Sequence, residues 1–276
     1  MAKSGMLFCL RYLSCRLWSL ALVIAAGGAF APSVHAADLV TPTSPTVVEK
    51  QAGDWTFAFS PYFWGAGLSG DVAQFGLPTT VHISPDFGDI LDNLDFAAMA
   101  TGEARYGRYS VFSDVIYTKL SVGSGTPRGV IADSVDVTSE TFAGLVGAGY
   151  CVLQDANSNL DIVAAARIWS VSTEISLQGG ILGGRSVSDS ATWVDAMTGI
   201  RGRYFFNDNL YLTGWGLIGA GGATLDWDVA AAIGYQFSGK FSALAGYRAL
   251  GVNYDNNDFV FDAVQQGPIV GLVLHF

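Results

Sequence analysis

Apolar side chains occupy every second position up to the last residue of the chain: Val270, Leu272, Leu274 and Phe276. A period of two is the pattern of a strand with one apolar face. Left at a sheet edge in water, such a strand would template aggregation. It is at home where it closes a barrel whose outside meets lipid, because there every backbone polar group is satisfied inside the sheet. The expectation is an all-β chain closed on itself.

The first 36 residues fit a cleaved leader. Lys3, Arg11 and Arg16 form a basic start, 17–31 is an apolar stretch, and Val34-His35-Ala36 suits cleavage between Ala36 and Ala37. That stretch is short of the ~20 residues a membrane helix needs, and the flanks are those of a secretory signal peptide. Cys9 and Cys15 leave with it. Cys151 then stands alone, so the processed chain has no internal disulfide and no Cys/His metal spacing. Residues 37–54 are rich in Pro and Thr without periodicity, and read as a flexible periplasmic lead-in.

Charge narrows the function classes. The 14 Lys+Arg, less Lys3, Arg11 and Arg16, leave 11 against 24 Asp+Glu, a net of −13 for the processed chain. Nucleic acid, which needs a basic footprint, is excluded as a partner. The mean hydropathy of +0.36 is high. Yet the longest uncharged run after the leader, 209–225, carries five glycines and makes a poor helix. A hydrophobic exported chain without membrane helices has the closed barrel as its route across a bilayer.

Ten strands are predicted, at 55–69, 94–106, 109–121, 136–151, 159–177, 187–206, 210–220, 225–237, 241–254 and 265–276, with eight as the alternative number. Short turns such as Gly107-Arg108 and 207–209 alternate with mostly longer connections, of which 70–93 is the longest. That is the layout of bacterial outer-membrane barrels, with both termini on the periplasmic side. Within 95–106, Asp95, Ala97, Met99, Thr101, Glu103 and Arg105 share one face, opposite Phe96, Ala98, Ala100, Ala104 and Tyr106. The charged face must be the lumen, since Arg or Lys at mid-depth on the lipid side costs about 2–4 kcal/mol.

Aromatics gather in two rows. Trp55, Tyr106, Tyr109, Tyr150, Tyr204, Tyr211, Tyr235, Phe241 and Phe276 lie beside the short turns. Phe63, Trp64, Tyr117, Trp169, Trp193, Trp227 and Tyr247 lie further along the strands. Both rows are expected to be interfacial girdles. A soluble β-sandwich or lipocalin-like barrel, with the apolar face inside, is the competing fold.

From 55 to 276 the chain resembles the small outer-membrane β-barrel proteins of Gram-negative bacteria, the OmpA/OmpW-like superfamily in its broad sense. The resemblance rests on Ser60-Pro-Tyr-Phe-Trp64 with Gly70-Asp71, Phe87-Gly-Asp-Ile-Leu91, Gly246-Tyr-Arg248 and the ending Gly267–Phe276. It implies a place in the cell outer membrane after Sec export. It also implies that Gly271, Leu274 and Phe276 form the signal read by the barrel-assembly machinery. Ile269 stands where the family pattern prefers a polar residue.

Strand parity sends Glu103, Arg105, Asp114, Arg167, Asp195, Arg201, Arg203, Asp228 and Arg248 into the lumen. A ten-stranded barrel has little spare interior. Mixed charges in it pair into a network that fills it, because unpaired buried charge is very costly. The expected role is structural or envelope-interacting, for a monomer in contact with outer-membrane lipids and lipopolysaccharide. A narrow pore for small solutes is the alternative, and a lipid A-modifying enzyme the third reading. For that enzyme, His82 with Ser84, Asp86 and Asp89 would be the site, but the composition is ordinary for a polar loop, and no catalytic residue is assigned. Asp255-Asn-Asn-Asp258 with Asp262 lacks the spacing of a calcium loop, and neither metal nor cofactor is expected. Gly214 to Gly219 matches a dinucleotide fingerprint by letters, yet lies inside a strand with no helix after it.

Overall fold

The computed structural model describes residues 54–75, 79–125, 133–181, 183–256 and 259–276. The leader, its cleavage position Ala36–Ala37 and the lead-in through residue 53 lie outside the described residues. So do 257 and 258 of the acidic loop.

The elements are β1 (Trp55–Trp64), β2 (Gly67–Ala73), β3 (Val81–Ile83), α1 (Phe87–Asp92), β4 (Leu94–Tyr106), β5 (Tyr109–Gly125), β6 (Ser134–Gln154), β7 (Ser158–Gln178), β8 (Arg185–Phe205), β9 (Leu210–Gly221), β10 (Leu225–Ser238), β11 (Phe241–Asn256) and β12 (Phe259–His275). β1 pairs with β4, each strand from β4 onward pairs antiparallel with the next, and β12 returns to β1. The result is a closed barrel of ten strands, with β2 and β3 as an appendage on β12. At the closure Phe276 exchanges two backbone bonds with Phe57, of 2.9 and 3.2 Å.

Local chemistry sets the short turns. Gly107 adopts a φ of +57° in the two-residue turn between β4 and β5. Asn207 accepts from the backbone N–H groups of Asn209 and Leu210 in the turn between β8 and β9, the habit of an Asx turn.

Alternation then sorts the side chains. On β10, Val229, Ile233, Tyr235 and Phe237 face out and are exposed, while Asp226, Asp228 and Ala232 are buried in the lumen. The outer surface is apolar on strand after strand, with Phe57 and Phe59, Val111 and Val115, Ile162 and Ile168, Val194 and Ile200, and Val270 and Leu272 all exposed. A soluble barrel would bury this face, so the structure decides against the lipocalin-like alternative.

The predicted first strand, 55–69, is broken. β1 stops at Trp64 and β2 resumes at Gly67, both against β12. Opposite the break stands Pro268, whose carbonyl accepts from Gly65 N–H at 2.9 Å. A residue in an antiparallel ladder points its N–H and C=O to the same neighbour, so the donor that proline lacks is missing on this side. Gly267 lets the chains approach: a Cβ there would lie 2.0 Å from the Gly65 carbonyl oxygen. The loop expected over 70–93 therefore contains the end of β2, β3 and a short helix.

The strands rise to unequal heights. β6, β7 and β8 have 21 residues each, whereas β9 and β10 have 12 and 14. At ~3.3 Å per residue and a tilt of ~40°, 21 residues climb roughly 50 Å, about twice an apolar band of ~25 Å. The upper part of β8, 185–193, has no ladder partner on the β9 side among the described residues.

Candidate functional site in the barrel lumen

The nine charged residues placed inward by parity all point into the lumen, and they sort into two levels. The upper level is centred on Arg167 of β7 and Arg248 of β11, both 1% exposed. Arg167 donates to Asp226 at 2.5 Å and to Asp228 at 2.6 Å. Arg248 donates to Asp228 through Nε at 3.1 Å and Nη2 at 2.7 Å, and to Asp114 at 2.5 Å. Tyr62 accepts from Arg248 Nη1 at 2.8 Å and donates to Asp114 at 2.8 Å. The indole N–H groups of Trp169 and Trp215 each reach a carboxylate, Asp226 and Asp228 respectively, at 2.9 Å. The contacts join β1, β5, β7, β9, β10 and β11 across the interior. Buried ions are tolerable when paired and fully hydrogen-bonded, and this layer meets that condition.

Asp195 belongs to the same level but pairs with no arginine among the described residues. It is directly opposite Arg167 in the β7–β8 ladder, yet Arg167 reaches across the lumen to β10 instead. Asp195 accepts from the Trp193 indole at 3.0 Å and from the Ala223 backbone N–H at 2.8 Å.

The lower level lies near the periplasmic turns. Arg105 bonds Glu103 at 3.2 Å and Asp161 through two contacts, and Arg201 reaches Glu103 at 3.1 Å. Arg201 also lies over the Phe112 ring at 4.2 Å, and Arg203 over Tyr211 at 5.2 Å. Three guanidinium groups face two carboxylates here, and Arg201 Nη1 and Arg203 Nε are buried without an acceptor among the described residues. A space of about 120 Å³ lies among these groups. Below it a vestibule of about 640 Å³, lined by Arg105, Arg203, Lys240 and His275 among others, opens at the periplasmic end. His275 points inward at this rim, 3.1 Å from the Ser242 hydroxyl.

Two further carboxylates, Asp161 and Asp226, lie in the lumen beyond the nine charged residues expected there, 1% and 0% exposed. The signal was present, because Asp161 shares the parity of Arg167 and Asp226 that of Asp228. The aromatic rows need a correction for the same reason. Trp64, Trp169 and Trp193, expected in the upper girdle, are 3%, 1% and 5% exposed and lie inside. Trp193 stacks on Tyr254 at 4.0 Å and on Trp169 at 5.9 Å. Tyr211, expected in the lower girdle, is 2% exposed and bonds Ser242 in the lumen. The external half of the lumen is thus aromatic and aliphatic, where a polar filling was expected.

The loop site considered for hydrolysis is not assembled. His82 Nδ1 lies 3.0 Å from Asp71, with both side chains more than half exposed. Asp86 and Asp89 instead form the capping box of α1. Among the described residues no group of three or more His, Cys, Asp or Glu is placed to hold a metal.

The chain aligns with the outer-membrane protease OmpT of Escherichia coli over 81% of its own length and 97% of that chain, with a TM-score of 0.56 and 11% identity. The fold is that of an outer-membrane β-barrel. Ail, the attachment invasion locus protein of Yersinia pestis, aligns over 81% of this barrel and 99% of its own chain at 12% identity, with a TM-score of 0.36. Neisserial surface protein A aligns over 80% and 97% at 10% identity, with a TM-score of 0.30. No protein-family model matches the barrel's sequence, and no curated protein matches it.

Proposed function

We propose that this barrel is a monomeric protein of the Gram-negative outer membrane with a closed lumen, and that it acts at the envelope through its external rim and lipid contacts, without conducting solutes or catalysing a reaction. Sec export of the precursor, insertion by the barrel-assembly machinery and contact with lipopolysaccharide belong to this reading. The apolar outer surface supports the location. The observation that carries the closed lumen is the layer of Arg167 and Arg248 with Asp114, Asp226 and Asp228. Its members come from opposite walls and are at most 7% exposed. An aqueous path would have to break charge-assisted bonds and leave ions unpaired in the interior.

Planar-bilayer conductance of the refolded barrel tests the proposal. The expected record is silent, and stable unitary currents would establish the narrow-pore reading instead.

A further inference from the structure

Arg203 is the one lumen arginine that no carboxylate reaches among the described residues. Its neighbours across the sheet are Asn159 on β7 and Thr213 on β9, both neutral. Its guanidinium lies over the Tyr211 ring, and its Nε is closed off without an acceptor. The side chain as a whole is only half-buried, and it lines both the inner space of about 120 Å³ and the vestibule below. Its Nη1 and Nη2 make no hydrogen bond among the described residues and are not closed off as Nε is.

The charges around the inner space do not cancel. Arg105, Arg201 and Arg203 face Glu103 and Asp161, which leaves one positive charge over. Asp161 stands directly opposite Arg201 in the β7–β8 ladder, yet it is taken by Arg105. Farther down, Lys240 and Asp155 both line the vestibule and offset each other. An excess cation at the inner end of a narrow, low-dielectric cleft draws an anion from the water the cleft opens onto. Water can satisfy the donors, but it cannot neutralise the charge.

The dimensions and the donors select the anion. About 120 Å³ is several times the ~10–15 Å³ that one water needs, enough for a group of a few non-hydrogen atoms. The rest of a ligand would lie in the vestibule, where Gln154, Asn157, Ser158 and Gln236 offer amide and hydroxyl groups. A guanidinium with both terminal nitrogens open matches a carboxylate, because the planar fork pairs with its two oxygens at once. One carboxylate also carries the single negative charge that closes the balance, whereas a phosphate monoester carries nearly two.

We infer that the vestibule is a binding site for a small polar molecule of the periplasm that ends in a carboxylate, and that this carboxylate pairs with Arg203. The site lies on the periplasmic side of the ion layer, and it does not depend on whether that layer stops conduction.

Calorimetry on the whole barrel in detergent micelles, where both ends meet the bath, tests the inference. The probe is acetyl-glycyl-glycine, compared with its amide, which keeps the shape and loses the charge. Saturable binding of one acid per barrel is expected, with the amide about tenfold weaker or more. That comparison needs no variant. Arg203→Gln should weaken binding of the acid by about tenfold, and Arg203→Lys should recover part of it. Arg108→Gln removes an exposed cation from the turn between β4 and β5, away from the vestibule lining, and should change nothing. No saturable heat with the acid, equal binding of acid and amide, or equal losses in the Arg203 and Arg108 variants would overturn the site. Tighter binding of inorganic phosphate, or displacement of the acid by an equal concentration of chloride, would overturn the carboxylate assignment.

Discussion

Arg248 grips Asp228 with two parallel bonds, Nε to Oδ1 at 3.1 Å and Nη2 to Oδ2 at 2.7 Å. The same guanidinium reaches Asp114 and lies 5.2 Å from the centroid of Trp64. One residue therefore holds the ion layer together and packs beneath the Trp64 ring above it. Replacing it with methionine leaves Asp114 and Asp228 facing each other without their shared cation. The expected loss is about 3–5 kcal/mol, read as a lower denaturant midpoint in lipid vesicles. Arg248→Lys should recover part of it, because an ammonium carries the charge without the planar fork.

The outward face carries a depth-dependent prediction. Ala231 is exposed on β10, midway between Trp227 and Tyr235, and Phe237 lies beside the periplasmic turn. Ala231→Arg should destabilise the barrel by about 2–4 kcal/mol and Phe237→Arg by about 0–1 kcal/mol. Unfolding free energies of both variants in the same bilayer check the difference. Equal costs would mean that the band does not meet hydrocarbon.

The lower charge cluster should respond unequally to its two signs. Glu103 accepts from both Arg105 and Arg201, so Glu103→Gln weakens two charge-assisted bonds and should cost about 1–3 kcal/mol. Arg203→Gln should cost only about 0.5–1 kcal/mol, since its observed partner is the Tyr211 ring. Chemical denaturation of the two variants side by side gives the comparison.

Cys151 provides a probe of closure. Its side chain is buried at 0% exposure and its thiol points to the Leu153 carbonyl at 3.1 Å. A water-soluble maleimide should leave the folded barrel unlabelled and modify it fully after denaturation, as mass spectrometry would report. Rapid labelling of the folded form would show that water reaches this part of the lower lumen.

Much of this fold is legible in the sequence because a strand's period survives in any context. Glu103 and Arg105 face inward for the same reason that Ala104 and Tyr106 face out. The nine lumen charges follow from that rule, and so do Asp161 and Asp226 once the parity is carried to the strand ends. The same rule contradicts the girdle assignment of Trp169 and Trp193, which share a face with Arg167 and Asp195. Aromatic spacing along a strand sets depth, whereas parity sets the side. The broken first strand was not legible, since its cause lies in the partner: Pro268 is two hundred residues away in sequence and withholds a donor opposite Gly65. The pairing of Arg167 with β10 in preference to adjacent Asp195 is likewise a property of the lumen's cross-section, which no single strand encodes. Asp86 and Asp89 read in the sequence as polar loop residues beside His82, and only the folded chain shows those carboxylates committed to the cap of a helix.

The unequal strands give this molecule a front and a back. Three tall neighbours, β6 to β8, stand like a palisade above a low parapet made by β9 and β10, so the rim is high on one flank and low on the next. Rotation about the membrane normal, immaterial for a barrel of even height, here determines which surface is presented to whatever lies alongside.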